Sequence, residues 1–306
     1  MLKRYELHNH TTESDADLTV EQLINKMEND SVDVFALTDH NTVSGHRKMR
    51  RLLGEGGYRT KCVYGMEYTT YYGHILCLNL NRYVPWDAIN RHRPELLFRA
   101  CRDAGAIVGI AHPFSFGDPY ARGCRFEMTV TDFSCVDFIE IFNNPTPLLE
   151  ANIPALEWWE DLNLRGERIA ATAGMDLHGN ESFAMQFATY LESGRDDPAA
   201  DLSAAIRSGE TWVSKGPVLR AAHTRKEWRF WIEDTKKPGY EPGARHIMTL
   251  RADGGKKIFE LKDGELTLGE NDLPCGKTII PKLYRDGTAP ENIVCVSPVI
   301  RFEGGA

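Results

Sequence analysis

Tyr5-Glu6-Leu7-His8-Asn9-His10 decides how the rest of the chain is read. The residues suit a short half-buried strand. Strand side chains alternate faces, so His8 and His10 point the same way and can both reach one metal ion. A His-x-His pair also occurs in many chains without any chemical role, and its meaning rests on what the rest of the sequence brings to it.

A polar turn, Thr11-Thr12-Glu13-Ser14-Asp15, follows the pair. Asp17-Leu18-Thr19 then predicts a helix start, because Thr19 and Gln22 have capping-box spacing and Val20, Leu23, Ile24 and Met27 line one apolar face. Residues 32–37 are an apolar run of strand length that stops at Thr38-Asp39-His40-Asn41-Thr42. A second helix is expected from about residue 44 to 53, closed by Gly54 and Gly56-Gly57. Strands are expected at 61–64, ending at Gly65-Met66-Glu67, and at 74–80, beginning with His74. Pro94 suits the first position of a helix that runs to Ala104 and is capped by Gly105. A strand at 106–110 delivers Ala111-His112-Pro113, and one at 136–142 carries Glu140 and ends at Asn143-Asn144. A helix over 147–164 leads to a strand at 168–173, which delivers Gly174-Met175-Asp176-Leu177-His178.

Strand, turn and helix alternate along this stretch, the signature of an α/β domain with a mostly parallel sheet or barrel. His8/His10, Asp39/His40, Glu67, His112, Glu140 and Asp176/His178 each fall at or just past a strand end. In parallel α/β barrels those ends open on one face, where ligands bind, so residues distant in sequence converge. Trp212-Val213-Ser214-Lys215-Gly216-Pro217 reads as a last strand and a hinge. Beyond it come short strands at 228–232, 246–251, 258–261, 265–268, 278–284 and 293–296, with Asp263-Gly264 as a hairpin signal. The expected organisation is an α/β domain over residues 1–217 and a β-rich extension over 218–306.

The 306 residues suffice for a full-size core, and 42% apolar with 26% charged residues is ordinary globular composition. A net charge of −8 argues against an electrostatic binder of nucleic-acid polymers. No stretch approaches the roughly 18 apolar residues of a membrane span, and the N-terminus shows no signal-peptide core; a cytoplasmic protein without membrane partners is expected. Seven scattered cysteines without a Cys-x-x-Cys pair suit free thiols in a reducing compartment.

Histidine and carboxylate ligands without cysteine suit Zn, Mn or Fe better than a structural thiolate site. The candidates, His8, His10, Asp15, His40, Glu67, His112, Glu140, Asp176 and His178, are too many for one ion. Their number points to two or three divalent ions sharing a carboxylate, for which Glu67 is the choice. Such ions clamp an oxyanion and lower the pKa of water toward 7, so no serine or cysteine nucleophile is needed. Asp39 reads as a helix cap or as a partner that orients His40. His74 reads as a ligand, a substrate contact or a core histidine, and Glu140 amid apolar residues implies a metal or cation nearby.

His8-Asn9-His10, Ser14-Asp15, Thr38-Asp39-His40-Asn41, Gly65-Met66-Glu67, Ala111-His112-Pro113 and Asp176-Leu177-His178, in this order, resemble the motifs of the PHP (polymerase and histidinol phosphatase) family of metallohydrolases. The stretch from Glu67 to His74 and the one from Trp212 to Pro217 are more similar to its carbaryl-hydrolase-like branch. The resemblance covers about residues 1–217 and implies a distorted (β/α)7 barrel with a two- or three-metal site. By matching motif, it implies that His8, His10, Glu67 and Asp176 hold a first ion. Glu67 then bridges to a second held by His112, and Asp15, His40 and His178 hold a third. Many relatives have a second histidine on the second ion where this chain offers Glu140 or Asn143.

The leading expectation is a metal-dependent phosphoesterase for a small phosphomonoester or cyclic phosphodiester. His178 or His74 would protonate the leaving group, and Arg122, with Arg125, would grip a phosphoryl oxygen. Carbamate, ester or amide hydrolysis is the alternative, favoured by the aromatic stretch Tyr68-Thr69-Thr70-Tyr71-Tyr72. A non-catalytic metal-binding module is a third.

Overall fold

A computed structural model describes residues 1–87, 89–116, 123–194, 196–237, 241 and 243–302. In chain order the elements are β1 (Leu2–Glu6), α1 (Val20–Asn29), β2 (Val34–Leu37), α2 (Gly45–Gly56), β3 (Lys61–Thr70), β4 (Gly73–Leu78), α3 (Glu95–Asp103), β5 (Ile107–Ile110), β6 (Phe138–Asn143), α4 (Ile153–Leu164), β7 (Ala170–Gly174), β8 (Ala188–Glu192) and α5 (Pro198–Ser208). The strands β9 (Trp212–Ser214), β10 (Pro217–His223), β11 (Glu227–Asp234), β12 (His246–Ala252), β13 (Gly255–Leu261), β14 (Glu265–Gly269), β15 (Thr278–Arg285), β16 (Ile293–Val296) and β17 (Ile300–Arg301) complete the chain.

Local signals set most of these boundaries. Thr19 caps α1 with both bonds of the capping box, and Val20, Leu23, Ile24 and Met27 are its buried face. Asp263 and Gly264 both take positive φ, +53° and +79°, as a tight hairpin turn between β13 and β14 requires. Helix α3 begins one residue after Pro94, within the ordinary uncertainty of helix ends. The aromatic helix expected over 147–164 is broken, opening with a π-turn at Leu148–Asn152 before α4. The sequence reading assigned nothing to β8 and α5, although Asp197 and Pro198 at the start of α5 and Gly209 at its end are ordinary cap signals.

One hydrogen-bonded sheet runs β13-β12-β15-β16-β9-β8-β1-β2-β3-β4-β5-β6-β7. β1, β2 and β3 are parallel, as are β5, β6 and β7, while β4 runs antiparallel between the two groups. A separate sheet has the order β10-β11-β14. Among the described residues no closed sheet is found, so the (β/α)7 barrel expected from the resemblance is not borne out. β1 gives its second edge to antiparallel β8, which leaves β7 no strand edge to pair along. Only past the ends of β1 and β7 does a single bridge, Asn9 with Leu177, join them.

Tyr5, Leu7, Val34, Ala36, Val63 and Phe138 pack in one apolar cluster, which Leu202 and Ile206 of α5 join. The C-terminal strands extend the main sheet through β16 on β9. They also meet α4, where the buried Glu160 takes ion pairs from Arg251 and Lys282. Among the described residues no helix is long and apolar enough to cross a membrane.

Candidate metal centre

The strand ends converge as the alternation predicted, with two differences. The first concerns Glu67, which lies inside β3 and not past its end. Pairing of β3 with β2 stops at Leu37 and Tyr64, while the hairpin with β4 carries the ladder on to Thr70 and Gly73. Glu67 therefore sits beyond the parallel ladder yet remains held: its N–H donates to Thr38 O at 3.1 Å, and its carbonyl accepts from Asn41 N at 2.9 Å. The second difference is His74. Because β4 runs antiparallel, its beginning lies at the same end of the sheet as the finishes of β3 and β5. His74, paired with Thr69, thus enters the site from the start of a strand.

Three sets of donor atoms result, each with all members within 4.8 Å of one another: His8, His10, Glu67 and Asp176; Glu67, His74 and His112; and His10, Asp15, His40 and His178. Glu67 is common to two sets and His10 to two. Oε1 of Glu67 lies 3.0 Å from His74 Nδ1 and 3.2 Å from His112 Nε2. Its Oε2 lies 2.8 Å from His40 Nδ1 and 3.3 Å from His8 Nε2. Asp176 Oδ1 is 3.0 Å from His10 Nε2 and 3.3 Å from His8 Nε2. Asp15 Oδ1 is 3.6 Å from His40 Nε2 and 3.4 Å from His178 Nε2.

Several imidazoles are fixed from behind. His8 Nδ1 faces Glu140 Oε1 at 3.0 Å, His112 Nδ1 donates to Cys124 O at 3.1 Å, and His178 Nδ1 donates to Asp176 O at 2.8 Å. In each case Nε2 is left for the centre, the arrangement by which outer partners set the tautomer of metal-binding histidines. His40 Nδ1 also meets Thr69 Oγ1. The sequence showed none of these backbone and hydroxyl partners.

Glu140 lies in no set. Its Oε2 accepts from His112 N at 3.1 Å and Asn143 Nδ2 at 3.2 Å, so both its oxygens face residues behind the centre. Asn143 Nδ2 also reaches Asp176 Oδ2 at 3.2 Å. The place that Glu140 or Asn143 was expected to fill beside Glu67 and His112 is taken by His74. The hydrogen bonds described for the Asp39 carboxylate go to neither His40 nor the centre; it accepts from Thr11 and Ser14. Arg122 lies outside the described residues. Arg125 is exposed and stands over the Phe114 ring at 5.6 Å. Tyr68 is core, its hydroxyl donating to Val84 O, while Tyr71 is exposed.

The electrostatics are those of a site with more donors than internal charge can satisfy. Burial opposes charge on Glu67 and Asp176, but the facing imidazoles, His8 foremost, hold both carboxyls well below the usual carboxylate range. Burial likewise opposes charge on His8, yet Asp176, Glu67 and Glu140 hold its pKa well above the ordinary value. His112 is raised to about 9, the pull of Glu67, Asp176 and Glu140 exceeding the cost of burial. Burial pushes His10 down to about 4. The carboxylates therefore favour a positive charge at His8 and His112. Even so, His8 Nε2 and Glu67 Oε2 are buried without a hydrogen bond of acceptable geometry. The donor set fits divalent ions, which would satisfy those atoms. His112 at φ +24° and Asp176 at φ +49° hold the left-handed backbone that non-glycine residues rarely adopt, strain of the kind that accumulates at functional sites.

No family model matches the sequence. The 5'-3' exoribonuclease Rnm of Escherichia coli is 33% identical over 81 residues, 25% of this chain and 28% of that protein. An uncharacterized protein of Methanocaldococcus jannaschii is 30% identical over 112 residues, 37% of this chain and 58% of that protein. The chain thus spans under a third of the length of the first and just over half of the second. A two-domain protein from Bacteroides vulgatus containing a predicted PHP-like metal-dependent phosphoesterase overlays with a TM-score of 0.58 at 14% identity, covering 98% of this chain and 95% of that one. The overlay shows the fold, a PHP-like mixed α/β arrangement. None of the three relatives singles out the carbaryl-hydrolase-like branch.

Proposed function

We propose that the chain is a metal-dependent phosphoesterase whose catalytic unit is residues 1–217. One observation carries the reading: six histidines and three carboxylates form three overlapping donor sets around Glu67, with His8, His112 and His178 held by their Nδ1 atoms so that Nε2 faces inward. His8, His10, Glu67 and Asp176 would hold one ion, Glu67, His74 and His112 a second, and Asp15, His40 and His178 a third. The nitrogen and oxygen donors suit Zn, Mn or Fe. Bound there, such ions supply Lewis acidity toward phosphoryl oxygens and a lowered pKa for water.

The protein's own residues then have defined tasks. Glu67 and Asp176, held ionised, set the charge of the centre. His74 is buried and its pKa lowered, chiefly by burial, so it is neutral near pH 7 and suits a ligand better than the proton donor considered from sequence. Glu140 fixes His8 and the backbone at His112. The substrate class that suits a cluster of up to three cations is a phosphate ester, whose oxygens carry the complementary charge, in preference to a neutral carbamate.

Release of p-nitrophenol from p-nitrophenyl phosphate and bis-p-nitrophenyl phosphate, of inorganic phosphate from nucleotides, of mononucleotides from a short 5′-phosphorylated oligonucleotide, and of naphthol from naphthyl carbamate, tests the reading with manganese present. The oligonucleotide is included because one relative is named an exoribonuclease. Turnover of a phosphate ester that is lost in His8→Ala supports it. Turnover of the carbamate alone sinks it.

A further inference from the structure

We infer that Asp39 is a positioning residue that builds Asp15 into the third donor set, so that this set can be lost while the other two remain. The inference rests on the metal-binding reading above.

Asp39 is 2% exposed, and every hydrogen bond described for its carboxylate comes from one turn. Oδ1 accepts from Thr11 N at 2.7 Å, from Thr11 Oγ1 at 3.0 Å and from Ser14 Oγ at 2.9 Å, and Oδ2 lies 3.0 Å from Thr11 Oγ1. A buried carboxylate whose solvation comes from a single turn holds that turn as firmly as the turn holds it. The turn is further closed by Ser14 N and Ala16 N on Thr11 O, at 3.0 and 3.2 Å, and by Asp17 N on His178 O at 2.7 Å.

Asp15 depends on this frame. It is the only carboxylate of the set His10, Asp15, His40 and His178, and its side chain is 60% exposed, the most open of the four. With no strand beneath it, its approach to His40 and His178 is set by the path of residues 11–16. The other two sets take their carboxylates from β3 and from Asp176, two residues past β7, and neither carboxylate bonds to the turn; His10, which the first set shares, is held by its own N–H on Leu177 O at 2.9 Å. Asp39 therefore acts on one set and not on the others. His40, although next in the chain, is placed independently by its bridge with Glu67.

The test is manganese content, measured by elemental analysis after dialysis against defined manganese, with the electron paramagnetic resonance spectrum of the bound ions as a second readout. Asp39→Ala is compared with wild type and with Asp15→Ala, which removes the ligand itself. The expected result is that Asp39→Ala binds manganese at its weakest site roughly 10- to 100-fold less tightly, the range for loss of an outer partner, and so falls to the content and spectrum of Asp15→Ala. Asp39→Asn, which can still accept from Thr11 N and Ser14, recovers part of the loss. Should Asp39→Ala not fold, the double variant Thr11→Val with Ser14→Ala decides the matter, since it keeps Asp39 beside His40 and removes both hydroxyl bonds, leaving Thr11 N on Oδ1; it is expected to lose part of the affinity that Asp15→Ala loses. A folded Asp39→Ala, or that double variant, with wild-type content and spectrum overturns the inference. A wild-type protein that binds no manganese, zinc or iron overturns the metal reading instead.

Discussion

Nδ1 of His8 and Oε1 of Glu140 lie 3.0 Å apart, both side chains almost wholly buried, so the carboxylate fixes which nitrogen of His8 faces the centre. Glu140→Ala is therefore expected to weaken metal binding by about 10- to 100-fold without removing a ligand. Glu140→Gln, which can keep the hydrogen bond without the charge, is expected to fall between it and wild type. Competition against a chromophoric chelator measures both.

Gly174 sits against this pair. A Cβ there would come 2.5 Å from Glu140 Oε1 and 2.5 Å from the Cβ of His8, and neither neighbour is the free end of a flexible side chain. Gly174→Ala is expected to destabilise the fold by about 1–3 kcal/mol, as overpacking does, and to lower metal affinity together with stability. Urea unfolding and metal content, taken on the same preparation, check both parts.

Glu67→Gln removes a charge common to two donor sets. The expected outcome is loss of affinity at both, by more than the roughly 10- to 100-fold that loss of an outer partner costs, with a larger fall in metal content than Asp15→Ala produces. Equal losses in the two variants would show that Glu67 is not shared.

The raised histidines give the pH dependence a definite sign. In chelated protein His112 has a folded pKa of about 9 against an ordinary 6.5. Its contribution to stability is fully present below 6.5 and is lost as pH rises through about 9. His8, also raised, acts in the same direction. Metal binding displaces those protons, so apparent metal affinity rises over the same interval. Thermal unfolding of chelated protein from pH 6.5 to 9, beside metal titrations at each pH, should show the two trends opposed.

Away from the centre, Lys282→Met strips one of two cations from the buried Glu160 that ties α4 to β15. Removing a partner from a buried pair costs about 3–5 kcal/mol; with Arg251 remaining, about 2 kcal/mol is expected. The urea midpoint is the measurement.

Local order was legible from residues alone. The capping box at Thr19 and Gln22, the apolar face of α1, the turn at Asp263-Gly264 and the six short strands after residue 218 each follow from spacing or turn chemistry and each recur in the structure. The convergence of His8, His10, Glu67, His112, Asp176 and His178 was also legible, because each stands near the end of an apolar run. What was not legible is how the candidate donors divide. Glu140 looked like a ligand because a buried carboxylate needs a partner; that partner is His8, a contact across 132 residues that no local pattern records.

The sequence by itself determined which residues are metal-type donors, which strands and turns carry them, and that they meet at one end of a sheet. Only the tertiary structure decided that the sheet stays open and that His74 joins Glu67 and His112. Both outcomes depend on strand direction and on which edge is already taken: β8 occupies the second edge of β1, and antiparallel β4 carries its first residues into the site. Period and propensity describe a strand's two faces. They say nothing of the partner along its edge, which is chosen by pairing between distant segments.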